Sequence, residues 1–177
     1  MPPDEPTYRA AVAEDALCLS VLATQVFLDT YAIQGIRPAI AREVRQYLSE
    51  EAFAKILSHP RRAILLAEIE DHLVGFAQLT HDRTHERLPP EAPAAELNRL
   101  YVQRPFLGQG IGKELLARSE ILARSEGADL LWLTAWTGNA PALRFYGGQG
   151  YQDVGASVYT FEGDRYETRL FEKELTR

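Results

Sequence analysis

Apolar residues are spaced in two ways along the chain, and the two spacings predict helices and strands. Three stretches repeat apolar side chains every three or four residues, as amphipathic helices do: about 15–31, 38–58 and 110–126. Shorter apolar runs that end at turn residues predict strands at 8–12, 63–69, 73–79, 96–102, 130–136, 151–161 and 165–174. A further helix follows Asn139, a favourable N-cap residue. This order of elements predicts a mixed α/β sheet with helices on both faces.

Two segments of this pattern bear on function. The run Leu130–Trp136 shows no polar alternation, so we expect a strand that is covered on both faces. Residues 82–95 are polar and contain Pro89, Pro90 and Pro93, which predicts a loop before the 96–102 strand. Loops of this length often carry functional residues.

Length and composition favour one globular domain over residues 1–177, with residues 1–6 as a mobile tail. A formal net charge of −6 argues against a nucleic-acid binder. No apolar run reaches the ~20 residues of a membrane span, and the first residues do not resemble a signal peptide. The single cysteine, Cys18, is expected to pack in the core and suits a reducing compartment. We therefore expect a cytoplasmic protein that does not bind membranes.

A glycine-rich turn follows the strand at 96–102 and opens a helix. Its sequence is Leu107-Gly-Gln-Gly-Ile-Gly-Lys113, and the missing side chains let the backbone approach a ligand closely. The unpaired N–H groups and the dipole of a helix start favour a bound anion. The turn therefore predicts an anion site, although glycines that only permit a tight strand-to-helix connection would look the same.

Two other glycine motifs do not fit this turn. A phosphate-binding P-loop needs glycine at position 107 and Ser or Thr after the lysine, whereas the chain has Leu107 and Glu114. A dinucleotide fingerprint needs a glycine three residues after Gly110, where the chain has Lys113.

The turn and a second segment together resemble the Gcn5-related N-acetyltransferases, the GNAT family. The second segment runs through Trp132-Leu-Thr-Ala-Trp136, Asn139 and Ala142-Leu-Arg-Phe-Tyr146 to Gly150-Tyr151. This resemblance covers residues 64–160 most clearly, and it implies a largely antiparallel central sheet in a single GNAT domain. It also implies that acetyl-CoA is the co-substrate, with its pyrophosphate on the glycine turn and its pantetheine arm beside the preceding strand.

The resemblance also implies catalytic residues. A backbone N–H near Tyr101-Val102, at a bulge in the strand, would polarise the thioester carbonyl, and Tyr146 would protonate the leaving thiolate. Glu96 would act as general base, directly or through water. Alternatively, Tyr146 is a core aromatic residue, and Glu96 is an edge carboxylate that faces solvent or pairs with Arg99. The implied acetyl-CoA contacts are Leu100, Tyr101, Val102, Leu107, Gly108, Gln109, Gly110, Ile111, Gly112, Lys113, Asn139 and Tyr146.

Some residues depart from the family pattern. Leu107 stands where a basic residue or glutamine is usual, and Gly147-Gly148 replace the commoner residues after Tyr146. Lys113 either reaches a phosphate or is only solvated. The four histidines lack metal-ligand spacing on one element, so no metal is expected.

The expected activity is acetyl transfer from acetyl-CoA to an amine by direct attack in a ternary complex. The acceptor is left open between a small-molecule primary amine, such as a polyamine or an amino-acid-like amine, and a protein N-terminus or lysine. The alternative is an inactive module that senses or binds acyl-CoA. The last hairpin has more apolar residues than one face of a small domain needs, which predicts a homodimer: Val158, Tyr159, Phe161, Tyr166, Leu170 and Phe171.

Overall fold

The computed structural model describes residues 5–175. These residues form helices and strands in the order that the apolar pattern predicts, except that two helices, rather than one, occupy residues 38–58. Two further short 3₁₀ turns occupy Ala13–Asp15 and Arg104–Phe106. The helices and strands are β1 (Thr7–Ala10), α1 (Ala16–Tyr31), α2 (Pro38–Tyr47), α3 (Glu50–Leu57), β2 (Arg62–Ile69), β3 (His72–Thr80), β4 (Ala94–Val102), α4 (Ile111–Ser125), β5 (Leu130–Trp136), α5 (Ala140–Gly148), β6 (Gln152–Phe161) and β7 (Asp164–Glu174).

The seven strands form one sheet in the order β1-β2-β3-β4-β5-β7-β6. β4 and β5 are parallel, whereas β1 with β2, β5 with β7 and β6 with β7 are antiparallel. The prediction of a mixed α/β fold with a largely antiparallel sheet is therefore confirmed. Turns with positive φ at both central residues close the two hairpins, at Glu70-Asp71 and at Glu162-Gly163.

The chain divides into two compact units. The first comprises the described residues up to Gln78 together with Arg99–Ser119, and the second comprises Leu79–Asn98 together with the described residues from Glu120 onward. Both boundaries fall inside strands, so each unit contains part of β3 and part of β4. That the whole chain behaves as a single domain stays a prediction.

The core of the first unit packs α1 and α3 against β2 and β3. Its largest fully buried side chains include Leu19, Phe53, Leu66 and Phe76, and the rings of Phe53 and Phe76 meet edge to face at 5.8 Å between centroids.

The prediction of a single helix over 38–58 is wrong. It divides at Leu48 because Ser49 caps a new helix, its side chain accepting from the Ala52 N–H at 3.2 Å.

The core of the second unit lies where the loop between β3 and β4 folds onto the sheet. The buried cluster comprises Leu88, Ala94, Leu130, Trp132 and Leu170. The expectation that β5 is covered on both faces holds for residues 130–133, which are all buried. It is wrong beyond them, because Thr134 is exposed and Trp136 is half-buried.

Other expectations meet mixed outcomes. Cys18 is exposed rather than packed, because α1 buries Leu19 and Leu22 instead and leaves Leu17 and Cys18 facing outward. The proposed tail at 1–6 lies mostly outside the described residues. No helix within residues 5–175 is both long and apolar enough to cross a membrane.

Candidate functional site

The glycine turn before α4 presents backbone to solvent. Gly108 and Gly110 have φ values of 77° and 83°, a left-handed conformation that favours glycine. A Cβ placed on either glycine would have nothing within 4 Å, so the turn leaves open space beside its backbone. In residues 5–175, no hydrogen bond formed outside the helices and strands uses a backbone N–H of residues 108–113. These donors, at the start of a fifteen-residue helix, suit a pyrophosphate.

Side chains of the same turn play smaller parts. Ile111 is buried and anchors the helix, so it can offer a ligand only its N–H. Gln109 uses its side-chain amide to donate to the Pro105 carbonyl at 3.3 Å. Leu107 and Lys113 are exposed, and Glu114 N–H donates to the Gly110 carbonyl at 3.0 Å to close the first helical turn.

The end of β4 approaches β3 closely at Gly75. A Cβ on Gly75 would lie 2.8 Å from the Tyr101 carbonyl oxygen and 3.2 Å from Val102 Cγ2. Immediately beyond, the Gln103 N–H donates to the Val74 carbonyl at 2.9 Å. The missing side chain of Gly75 thus fixes where the backbone of Leu100–Val102 lies.

A polar cluster that the sequence analysis did not identify surrounds the Tyr101 side chain in the first unit. Arg99 donates hydrogen bonds to Gln78 and Tyr101, and Glu43 is buried nearby. Burial raises the pKa of the Tyr101 phenol, with Arg99 opposing the shift, and burial likewise raises the pKa of Tyr31. Both phenols are therefore neutral hydrogen-bond donors at neutral pH.

In the second unit, Glu96 lies in the short stretch where β4 pairs with β5. It is directly opposite Trp132 in the parallel register, and its Oε2 is 3.6 Å from Nε of Arg83. Arg99, the partner considered from the sequence, instead bonds Gln78. Arg83 belongs to the β3–β4 loop, which is held in place because the Trp132 indole N–H donates to the Arg83 carbonyl at 2.6 Å.

Tyr146 lies in α5 and is 9% exposed. Its ring packs against Phe145, Tyr151 and Phe171 at centroid distances of 5.2, 5.9 and 6.0 Å. Although Gly147 and Gly148 follow it, α5 continues through both. Three aromatic contacts therefore hold the ring despite the weak helix formers.

Asn139 caps α5, as the sequence predicts. Its Oδ1 accepts from the Ala142 N–H at 3.2 Å, and its own N–H donates to the Trp136 carbonyl at 2.9 Å. The cap occupies the side-chain oxygen and leaves the amide nitrogen as the group that a ligand would meet.

The histidines are dispersed. His85 stacks edge to face on Trp132, with 5.2 Å between ring centroids. His81 is buried, and its Nδ1 has no hydrogen-bond partner among the described residues. Among residues 5–175 there is no group of three or more His, Cys, Asp or Glu side chains that would hold a metal ion.

Comparison with known proteins identifies the class to which this arrangement of strand, glycine turn and helix belongs. The acetyltransferase (GNAT) family model matches residues 30–151. The chain therefore belongs to the GNAT family of acetyltransferases, whose enzymes use acetyl-CoA.

Individual relatives agree with this assignment. The chain is 30% identical over 140 residues to the aminoalkylphosphonate N-acetyltransferase of Salmonella typhimurium, covering 78% of this chain and 89% of the relative. It is 23% identical to an N-acetyltransferase of Lactobacillus delbrueckii subsp. lactis, over 87% of this chain and 88% of the relative. The fold is similar to that of the PaiA N-acetyltransferase of Thermoplasma acidophilum, solved with coenzyme A, with a TM-score of 0.72, 24% identity and coverage of 96% and 99%.

The space at Gly75 leads to a stability prediction. Gly75→Ala forces a Cβ against a backbone oxygen, and overpacking of this kind costs about 1–3 kcal/mol of unfolding free energy. Gly147→Ala is the matched control: it lies in a helix, a Cβ there meets nothing within 4 Å, and the change should stabilise by about 0.4–1 kcal/mol. Urea unfolding measures the change in unfolding free energy for both variants. Changes of the same sign would contradict the close approach of Gly75 to the Tyr101 carbonyl.

Proposed function

We propose that the protein transfers the acetyl group of acetyl-CoA to a primary amine in a ternary complex. The observation that carries the proposal is the run of backbone N–H groups at residues 108–113, in an open turn at a helix start. Leu100, Tyr101 and Val102 would flank the pantetheine arm, and the backbone N–H groups of Leu107–Lys113 would hold the pyrophosphate. Asn139 would bond the pantetheine amides through its side-chain nitrogen.

The proposed chemistry needs only this chain's groups around the reacting atoms. The acceptor nitrogen forms a bond to the thioester carbonyl carbon while the carbon–sulfur bond breaks. A backbone N–H near Tyr101-Val102 stabilises the oxyanion, Glu96 accepts the amine proton directly or through water, and Tyr146 donates a proton to the thiolate. The acceptor is a small-molecule amine or a protein amine.

Assembly and location complete the proposal. We propose a homodimer that uses β6, an edge strand of the sheet on which Val158 is exposed. Light scattering at micromolar concentration tests it, and a monomer there would contradict it. The proposal retains the cytoplasmic location expected from the sequence.

Binding of CoA is the first test, by titration calorimetry. Gly110→Asp places a carboxylate beside the pyrophosphate and should abolish measurable binding. Gly163→Asp is the matched control, because Gly163 also has positive φ and open space around its Cβ position but lies in the β6–β7 turn. Equal affinity in the parent and the Gly110 variant would refute the turn as the CoA site.

A thiol-release assay with a panel of amines distinguishes an enzyme from an inactive acyl-CoA-binding module. Steady production of CoA with any amine excludes the inactive module.

Tyr146→Phe tests the general acid. Removing the phenol proton should lower kcat by about 10²–10⁴-fold and leave CoA affinity unchanged. Tyr151→Phe is the control from the same aromatic cluster: its hydroxyl donates to Glu120 at 3.1 Å, so its loss should reduce stability by about 1 kcal/mol and leave kcat nearly unchanged. If the two variants lose kcat equally, Tyr146 contributes packing and not a proton.

Glu96→Gln tests the general base through its pH dependence. At low pH the acceptor is mostly an ammonium ion, so loss of the base should reduce kcat most there, and activity should recover toward the parent at high pH. Glu172→Gln is the control. Glu172 lies on β7 opposite Trp132, on the side of β5 away from β4, and it is assigned no role. A rise in KM with constant kcat at every pH would mean that Glu96 only positions a cationic substrate.

A further inference from the structure

One face of the second unit's sheet is incompletely covered, and the strand register defines which residues lie on it. Glu96 is opposite Trp132, and Trp136 is opposite Thr168, which in turn is opposite Ser157. Directly opposed residues of neighbouring strands lie on the same face, and side chains alternate along each strand. Glu96, Trp132, Thr134 and Trp136 therefore share one face, while Leu131, Leu133 and Ala135 are buried on the other.

The β3–β4 loop covers only part of this face. It reaches Trp132 through the Arg83 carbonyl and the His85 ring, and Leu88 joins the buried cluster with Leu170. Beyond the loop, Thr134 is exposed although β5 pairs with β7 along this stretch. An exposed residue on an interior strand marks an uncovered part of the sheet.

Aromatic side chains border the uncovered part. Tyr159 and Tyr166 are opposite each other in the β6–β7 register, with ring centroids 6.1 Å apart, and they lie on the same face as Thr168 and Trp136. We call Thr134, Trp136, Tyr159 and Tyr166 the aromatic tract. Thr168, opposite Trp136, is 5% exposed, and its Oγ1 has no hydrogen-bond partner among the described residues, which is unusual for a buried hydroxyl.

The Trp136 indole is held in a defined position. A Cβ on Gly138 would overlap the indole atoms Cζ2, Cη2 and Cε2, so the ring lies directly against the Gly138 backbone. Fixed aromatic rings next to an open surface bind flat apolar groups and, through their π faces, cations. The carboxylate of Glu96 lies on the same face, beside Trp132.

We propose that the aromatic tract binds the body of the acceptor, and that the acceptor is a primary amine carried on a flat apolar group. This inference rests on the proposed acetyl transfer and specifies its substrate class. The ammonium group would lie toward Glu96 and the apolar body over Thr134 against Trp136. The four side chains of the tract are uncharged. Charged groups border it on the same face: Glu172 is opposite Trp132, and Arg87 Nη1 would lie 2.7 Å from a Cβ on Gly155, the residue opposite Leu170. The aromatic rings are therefore what marks the tract as a site for a flat apolar body.

The test compares acceptors that differ in their bodies: 2-phenylethylamine, ethanolamine, spermidine and 2-aminoethylphosphonate. We expect kcat/KM to be at least tenfold higher for 2-phenylethylamine than for each of the others. Trp136→Ala should lower kcat/KM for 2-phenylethylamine by about tenfold, leaving ethanolamine turnover and the KM of acetyl-CoA unchanged. Gly138→Ala, which displaces the indole, should act in the same direction.

Tyr159→Ala and Val158→Ala form a matched pair on β6. The two side chains are similarly exposed, at 42% and 46%, but lie on opposite faces of the strand. Only the Tyr159 variant should weaken use of 2-phenylethylamine, by a few-fold.

Failure of this inference is distinguishable from failure of the proposed function. If the protein binds CoA and acetylates spermidine or the phosphonate at least as well as 2-phenylethylamine, the aromatic-body assignment is overturned and acetyl transfer stands. If Trp136→Ala and Tyr159→Ala instead convert a dimer to a monomer without changing acceptor preference, a second copy of the chain covers the tract and the assignment is overturned. If no amine is acetylated, the proposed function fails. Calorimetry with 2-phenylethylamine then tests the aromatic tract by itself, and absence of binding to the parent protein overturns the assignment.

Discussion

The short parallel pairing of β4 with β5 is the constraint on which the chemistry of this fold depends. The register runs only from Ala94 to Glu96 on β4 and from Leu130 to Trp132 on β5. β5 continues to Trp136 while bonded to β7 along its other edge. Backbone groups beyond a terminated ladder need other partners, and we propose that the pantetheine arm lies there, beside β4.

Local sequence predicted the elements whose determinants are local. Apolar spacing placed β2, β3 and α4 to within about two residues because each is a simple run with clear turn residues at its ends. The division between α2 and α3 was missed because Tyr47, Leu48 and Phe53 continue a helical spacing across it. The buried Leu48 and the Ser49 cap, rather than any break in hydrophobicity, end one helix and begin the next.

The candidate site was only partly predictable, for the same reason. The glycine turn and the Asn139 cap are encoded within a few residues and lie where the motif indicates. The ion-pair partner of Glu96, Arg83, was not predictable. Arg83 lies near Glu96 because the Trp132 indole holds the loop by its hydrogen bond to the Arg83 carbonyl. Likewise, the uninterrupted apolar run of β5 suggested full burial, but whether a sheet face is covered depends on elements that lie far away in sequence.

Glycine illustrates this difference between local and tertiary information. Gly108 and Gly110 are required for their backbone conformation, and a motif reveals them because the turn is short and regular. Gly75 and Gly138 are required for space, one beside the Tyr101 carbonyl and the other beneath the Trp136 indole. Nothing near Gly75 in the sequence indicates its partner, which is 26 residues away on another strand. Each of these two glycines places a group proposed to meet a different substrate: Gly75 the backbone that faces the thioester, and Gly138 the ring that faces the acceptor. The selectivity proposed for this chain therefore depends as much on where side chains are missing as on those that are present.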